Sequence, residues 1–73
     1  MQFLIIDGTS ISSIEANSKA EAAAKYGRRR LPPDARAKLF RLRVLDLSLA
    51  TEFNCVVTRG EDHIESTAKE IYA

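Results

Sequence analysis

Cys55 and His63 are the side chains of this sequence whose types could support nucleophilic catalysis. They are the one cysteine and the one histidine of the chain, and Asn54 and Asp62 stand beside them as groups that could orient an imidazole. A thiol acts as a nucleophile when a histidine within hydrogen-bond reach removes its proton. Cys55, however, falls on the apolar side of a predicted strand, where cysteine behaves as a small core residue. We therefore expect no enzyme activity.

The sequence offers little else for catalysis or for metal and cofactor binding. Glu61 and Asp62 fall at a predicted turn, where carboxylates are too well solvated to form a catalytic acid-base pair. Gly8, Gly27 and Gly60 are isolated turn residues and do not form a phosphate-binding loop. One cysteine and one histidine cannot complete a four-ligand zinc site without carboxylates. We expect neither a metal nor a cofactor.

Charge is distributed unevenly along the 73 residues. Residues 28–43 carry seven cations against one carboxylate, a net charge of plus six, whereas residues 44–73 have a net charge of minus four. Six of the seven cations are arginine, whose guanidinium forks match carboxylates and phosphates. We call the seven the basic segment, and they are the predicted partner-binding residues: Arg28, Arg29, Arg30, Arg36, Lys38, Arg41 and Arg43.

Three interpretations of the basic segment follow. The leading hypothesis is a protein-binding module that docks an acidic protein surface, with Arg28 to Arg30 on a loop and Arg41 and Arg43 on one strand face. The first alternative is nucleic-acid binding through the same residues. The isoelectric point of about 7.9 weakens it, and so does the expected inward position of Phe40, the one aromatic side chain near the segment. In the third interpretation the basic segment is only a solvated surface, and its positive charge is balanced by the acidic half of the chain.

The first half of the chain predicts a β-hairpin followed by a helix. Residues 3–6 are apolar, Asp7-Gly8 is a strong turn signal, and residues 11–16 bring further β-branched side chains. Ser18 and Glu21 fit a capping box, and strong helix formers continue as far as Gly27. The stretch from residue 28 to 38 contains Pro32-Pro33 and is expected to be a surface loop, with a short helical turn started by Asp34 as an option.

The second half predicts two further strands and a terminal helix. Residues 40–44 alternate as a half-buried strand, and residues 53–58 form the next. Between them the apolar phase changes, and Leu45, Leu47 and Leu49 continue on the opposite face, through either a bulge or a longer strand covered on both sides. A second copy or another protein could cover that leucine face, as could the proline loop or the terminal helix. For residues 64–72 we favour a helix over a hairpin extended from Gly60.

These elements predict an α+β fold, with residues 1–73 as a single small domain. The order is β-β-α-β-β-α, an antiparallel sheet of about four strands with the helices on one side. The other side of such a sheet is open to a partner. The longest apolar run is far shorter than the roughly 20 residues of a membrane helix, so no membrane partner is expected. One cysteine and no recognisable secretion signal favour a cytoplasmic location.

In overall style the sequence resembles small bacteriophage accessory proteins. The likeness covers roughly residues 10 to 27 and includes the strand-to-helix passage from Ile14 through Ser18 to Ala22. The resemblance implies a viral protein, active in the host cytoplasm, that binds and redirects a host enzyme such as RNA polymerase or a defence complex. It also implies minor virion components, and no residue-level role follows from it. The second alternative is a small structural subunit of that kind, which would self-associate through the leucine face of Leu45, Leu47 and Leu49.

Overall fold

The computed structural model describes residues 1–46 and 49–71, and in them one antiparallel sheet of five strands packs against one helix. The strands lie side by side in the order β2-β1-β3-β4-β5. Along the chain, the elements are β1 (Gln2–Asp7), β2 (Ser10–Glu15), α1 (Lys19–Arg30), β3 (Ala37–Leu45), β4 (Ala50–Arg59) and β5 (Ile64–Glu70).

The predicted first hairpin is confirmed. Asp7 pairs with Ser10, so the connecting loop is Gly8 and Thr9, one residue later than the Asp7-Gly8 signal suggested. Gly8 has a φ of 59° and no other residue described has a positive φ. A positive φ at the first loop residue is the requirement of a type II′ turn, whose twist matches that of the flanking strands.

The predicted helix start is also confirmed, but the predicted end is wrong. The Ser18 Oγ accepts a hydrogen bond from the Glu21 amide at 3.1 Å, which satisfies one of the free amides of the first turn. The helix then passes through Gly27 and ends at Arg30, with Leu31 as its C-cap. Arg28 to Arg30 therefore belong to the last helical turn and not to a loop, because tertiary packing holds Gly27 inside the helix.

The predicted terminal helix is wrong, and so is the β-β-α-β-β-α order with two helices and about four strands. The chain turns back at Gly60, whose amide donates to the His63 carbonyl at 2.8 Å, and Ile64 pairs with Arg59 as β5 begins. The observed order is β-β-α-β-β-β. Ile64 and Ala68 fit a helical spacing and a strand alternation equally well, and the free edge of β4 decides in favour of the strand.

The predicted continuation of the third strand through the leucines is also wrong. β3 ends at Leu45, and the chain turns so that the Asp46 amide donates to the Leu49 carbonyl at 3.4 Å. The Leu49 amide in turn donates to the Asp46 Oδ1 at 3.4 Å. The change of apolar phase after Val44 thus marks the end of the strand. Leu47 lies outside the described residues.

The hydrophobic core lies between α1 and one face of the sheet. Alternate residues of β1 to β4 point toward the helix. The buried ones are Phe3, Ile5, Ile14, Phe40, Leu42, Val44, Phe53, Cys55 and Val57. The helix contributes Ala22, Ala23, Tyr26 and Gly27. No other element covers the opposite face in the described part of the chain. The described helix is too short and too polar to cross a membrane.

Candidate docking surface

The sheet divides the basic segment into two groups. Arg41 and Arg43 alternate with buried residues of β3, so their side chains lie on the face that α1 does not cover. The three arginines at residues 28–30 end the helix on the other side of the sheet. Arg36 and Lys38 follow in the loop and at the start of β3. We call the second group the cationic end: Arg28, Arg29, Arg30, Arg36 and Lys38.

Two aromatic rings connect the cations at the cationic end. The guanidinium carbon of Arg30 lies 5.4 Å from the centroid of the Tyr26 ring. Tyr26 meets Phe40 edge to face, with centroids 6.0 Å apart and an interplanar angle of 82°. The Lys38 Nζ lies 4.8 Å from the Phe40 centroid. Cations are attracted to the ring faces, so the two rings fix the positions of Arg30 and Lys38.

The Tyr26 side chain is held by its hydroxyl as well as by its ring contacts with Arg30 and Phe40. Its hydroxyl donates a hydrogen bond of 2.9 Å to the Asp7 Oδ2, at the end of β1. Burial raises the pKa of the Tyr26 phenol, and the hydrogen bond to Asp7 raises that pKa further. The phenol therefore stays neutral and keeps its hydrogen bond at physiological pH. Arg30 also reaches the Ser12 Oγ of β2 at 3.5 Å, which joins the cationic end to the first hairpin.

The cationic end is not neutralised by internal ion pairs. Asp34, Glu61 and Asp62 lie at the same end of the molecule, and Arg28 lines a shallow depression of about 420 Å³ with the loop that holds Glu61 and Asp62. Yet none of the ion pairs within 4.0 Å among the described residues involves a member of the cationic end. Its positive charge is presented to solvent.

Arg59 anchors the loop of the cationic end, a role that sequence analysis missed. Its Nε donates to the Ala35 carbonyl and its Nη2 donates to the Pro32 carbonyl, both at 2.9 Å. Its backbone amide donates to the Arg36 carbonyl at 2.7 Å. The signal in the sequence was the phase of β4, in which Arg59 follows Cys55 and Val57 at inward positions.

The uncovered face of the sheet carries Arg41 and Arg43 between two exposed apolar groups. On one side lie Leu4 and Ile11, which is 68% exposed, and on the other lie Leu39, 61% exposed, and Val56. We call this surface the open face. Sequence analysis identified its arginines but missed these four apolar residues, although each occupies the outward phase of its strand. Isolated exposed apolar residues are common, but grouped ones mark interaction surfaces.

The structure describes two of the three leucines predicted for self-association. Leu45 is half-buried on the open face, where it pairs with Leu4 of β1. Leu49 is exposed in the connection between β3 and β4. Leu47 is not among the described residues. The exposed apolar side chains of the open face, Leu4, Ile11, Leu39 and Val56, were not among the residues predicted for self-association.

Cys55 and His63 are not brought together. The Cys55 Sγ is buried, 3.5 Å from the Ala23 carbonyl and 3.2 Å from the Ser66 Oγ. Burial raises the pKa of this thiol, which opposes formation of the nucleophilic thiolate. The His63 ring is exposed and lies 3.2 Å from the Glu65 carboxylate. Among the described residues, no three metal-ligating side chains group together.

No family model matches this chain, and no curated protein or solved structure is significantly similar to it. What the chain does must therefore be inferred from its own geometry and charge.

Proposed function

We propose that this chain is a non-enzymatic protein-binding module that docks an acidic protein surface through the cationic end. The observation that carries the proposal is the set of five exposed cations at one end of the molecule, without ion pairs to the described carboxylates. Arg30 and Lys38 are held on buried rings, so little side-chain freedom is lost when they bind a partner. Arginine forks add bidentate geometry to carboxylate contacts.

The two rings beside these cations favour a protein partner over a nucleic acid. Tyr26 and Phe40 are each 3% exposed, and a buried ring cannot stack on a base. Glu61 and Asp62 border the cationic end and would repel a phosphate backbone. An acidic protein surface, with discrete carboxylates, can avoid those two side chains and still meet the arginines.

The proposed partner class follows from the resemblance to bacteriophage accessory proteins. Such a partner is a host enzyme or a defence complex in the host cytoplasm, which the chain would modulate or inhibit by covering an acidic surface. Exposed charge on the partner and on the cationic end would accelerate their association, because opposite potentials steer diffusional encounter.

A pull-down from host lysate, run with and without nuclease treatment, tests the proposal. The baits are the wild type, the triple variant Arg28→Ala, Arg29→Ala, Arg30→Ala, and a charge-matched control in which Lys25, Arg41 and Lys69, outside the cationic end, become Ala. We expect a protein retained by the wild type and the control but lost from the triple variant. Equal recovery by all three baits would refute docking through the cationic end. Loss of every partner on nuclease treatment would indicate nucleic acid.

A further inference from the structure

The open face lies on the other side of the sheet from the three helix-terminal arginines of the cationic end and has a different chemical character. Its cations are Arg41, Arg43 and Lys69, and the outward phase of the strands adds the carboxylates Glu52 and Glu65, with Glu15 at the corner of β2. The two signs are balanced. A strongly acidic or strongly basic partner would therefore gain little from this face, whereas a surface with the same mixture could match it.

We propose that the open face is the interface of a symmetric dimer of this chain, with the two-fold axis parallel to the strands and above the line between β3 and β4. A dimer through the open face is independent of docking through the cationic end. Arg43 faces Glu52 across β3 and β4, and Leu39 faces Val56 in the same way. A rotation of 180° about such an axis places β3 of one copy over β4 of the other. It places Arg43 over Glu52 of the second copy, and Leu39 over its Val56.

The groups that this arrangement would bring together are available. Arg43 has no ion pair within 4.0 Å among the described residues, and Glu52 has one contact of 3.9 Å, from the exposed Arg41 side chain. Leu39 and Val56 are 61% and 51% exposed. Two-fold symmetry satisfies both members of each pair twice, which is the property of an isologous interface.

About this axis the two copies overlap mainly along β3 and β4, because β1 pairs with the last residues of β3 whereas β5 pairs with the opposite end of the hairpin. Two strands about 4.8 Å apart and about 30 Å long give this overlap a projected area of about 300 Å². Because stable interfaces bury about 800 Å² per partner, we expect a weak dimer whose population rises with protein concentration. Two such faces would pack as an aligned sandwich, which is the usual arrangement of two twisted antiparallel sheets.

Sedimentation equilibrium of the full chain with a charge swap tests the dimer. The variants are Arg43→Glu and Glu52→Arg. Each places like charges in both symmetric contacts, so we expect a dissociation constant at least tenfold weaker than that of the wild type. In a mixture of the two variants, one contact between chains joins the two introduced side chains and the other joins the native Arg43 to the native Glu52. Both contacts then pair opposite charges, and we expect a heterodimer although each chain retains its own like-charge neighbours.

Thermal melts establish that each variant is folded. Val56→Lys is a second variant expected to disrupt the dimer, at an exposed position outside the hydrophobic core. A wild type that sediments as a monomer at every concentration overturns the proposal. Dimers of the single variants as tight as the wild type overturn it as well, and so does a mixture that stays monomeric while the wild type dimerises.

Discussion

Gly27 lies so close to Cys55 that a β-carbon on this glycine would be 2.7 Å from the Cys55 Sγ. The same β-carbon would be 2.7 Å from the Val57 Cγ2 and 3.1 Å from the Ser66 Oγ. Heavy atoms in contact are separated by about 3.5–4.0 Å, so α1 can approach the sheet this closely because residue 27 has no side chain. This contact sets the position of the last helical turn, which carries Arg28 to Arg30.

Gly27→Ala should destabilise the fold although alanine is the better helix former. The helix preference favours alanine by about 1 kcal/mol, whereas overpacking of a core typically costs about 1–3 kcal/mol. We expect a net loss in the free energy of unfolding, measured by urea denaturation. Ala20→Gly, at an exposed position of the same helix, measures the propensity contribution alone. A Gly27→Ala variant more stable than the wild type would show that the helix does not pack this closely.

Tyr26→Phe should reduce stability at neutral pH and alter its alkaline dependence. The variant keeps the ring but loses the hydrogen bond to Asp7, a loss of about 1 kcal/mol. Because the pKa of Tyr26 is raised in the fold, its contribution is fully present below the ordinary phenol pKa of about 10 and is lost as pH rises through the folded value. Above pH 10 the two stability curves should therefore converge. Curves that stay parallel from neutral pH to beyond pH 10 would contradict the assignment.

Arg59→Ala should release the loop between α1 and β3. Two hydrogen bonds from the guanidinium to the carbonyls of Pro32 and Ala35 are lost, and because Arg59 is exposed we expect about 1 kcal/mol of destabilisation. Arg36→Ala is the matched control, since the described contacts of Arg36 are made by its backbone and an exposed substitution changes stability by about 0.5 kcal/mol or less. Hydrogen exchange of the Ala35 amide reports the loop directly. An unchanged exchange rate in Arg59→Ala would refute the anchor.

The Cys55 thiol should react with iodoacetamide only as fast as the chain opens. The thiol is fully buried and burial raises its pKa, so the thiolate that reacts is scarce in the folded state. We expect the alkylation rate to follow urea concentration as global unfolding does. Rapid alkylation of the native chain would reveal an accessible thiolate and reopen the possibility of a catalytic role.

Sequence analysis succeeded where local chemistry decides the structure. The hairpin at Gly8 and the helix start at Ser18 depend on turn and capping preferences of a few neighbouring residues. It failed where distant contacts decide. The helix extends beyond Gly27 because the sheet accepts its close approach, and Ile64 starts a strand because β4 offers an edge.

For the candidate site, too, the sequence indicated what local patterns determine and missed what distant contacts determine. The cations of the basic segment were identified from composition, but their division between the cationic end and the open face was not. It depends on the helix reaching Arg30 and on the strand phase that turns Arg41 outward. The contact of Tyr26 with Phe40, which holds Arg30 and Lys38, joins two elements distant in sequence, and no local pattern indicates it.

The affinity of a purified captured partner, measured by isothermal titration at several salt concentrations, tests the central claim most directly. We predict that Arg28→Ala, Arg29→Ala, Arg30→Ala weakens binding at least tenfold and flattens its salt dependence, because three desolvated cations leave the interface. The control that lacks Lys25, Arg41 and Lys69 should bind as the wild type does. Equal affinity of the triple variant and the wild type would contradict the claim that the cationic end is the docking surface.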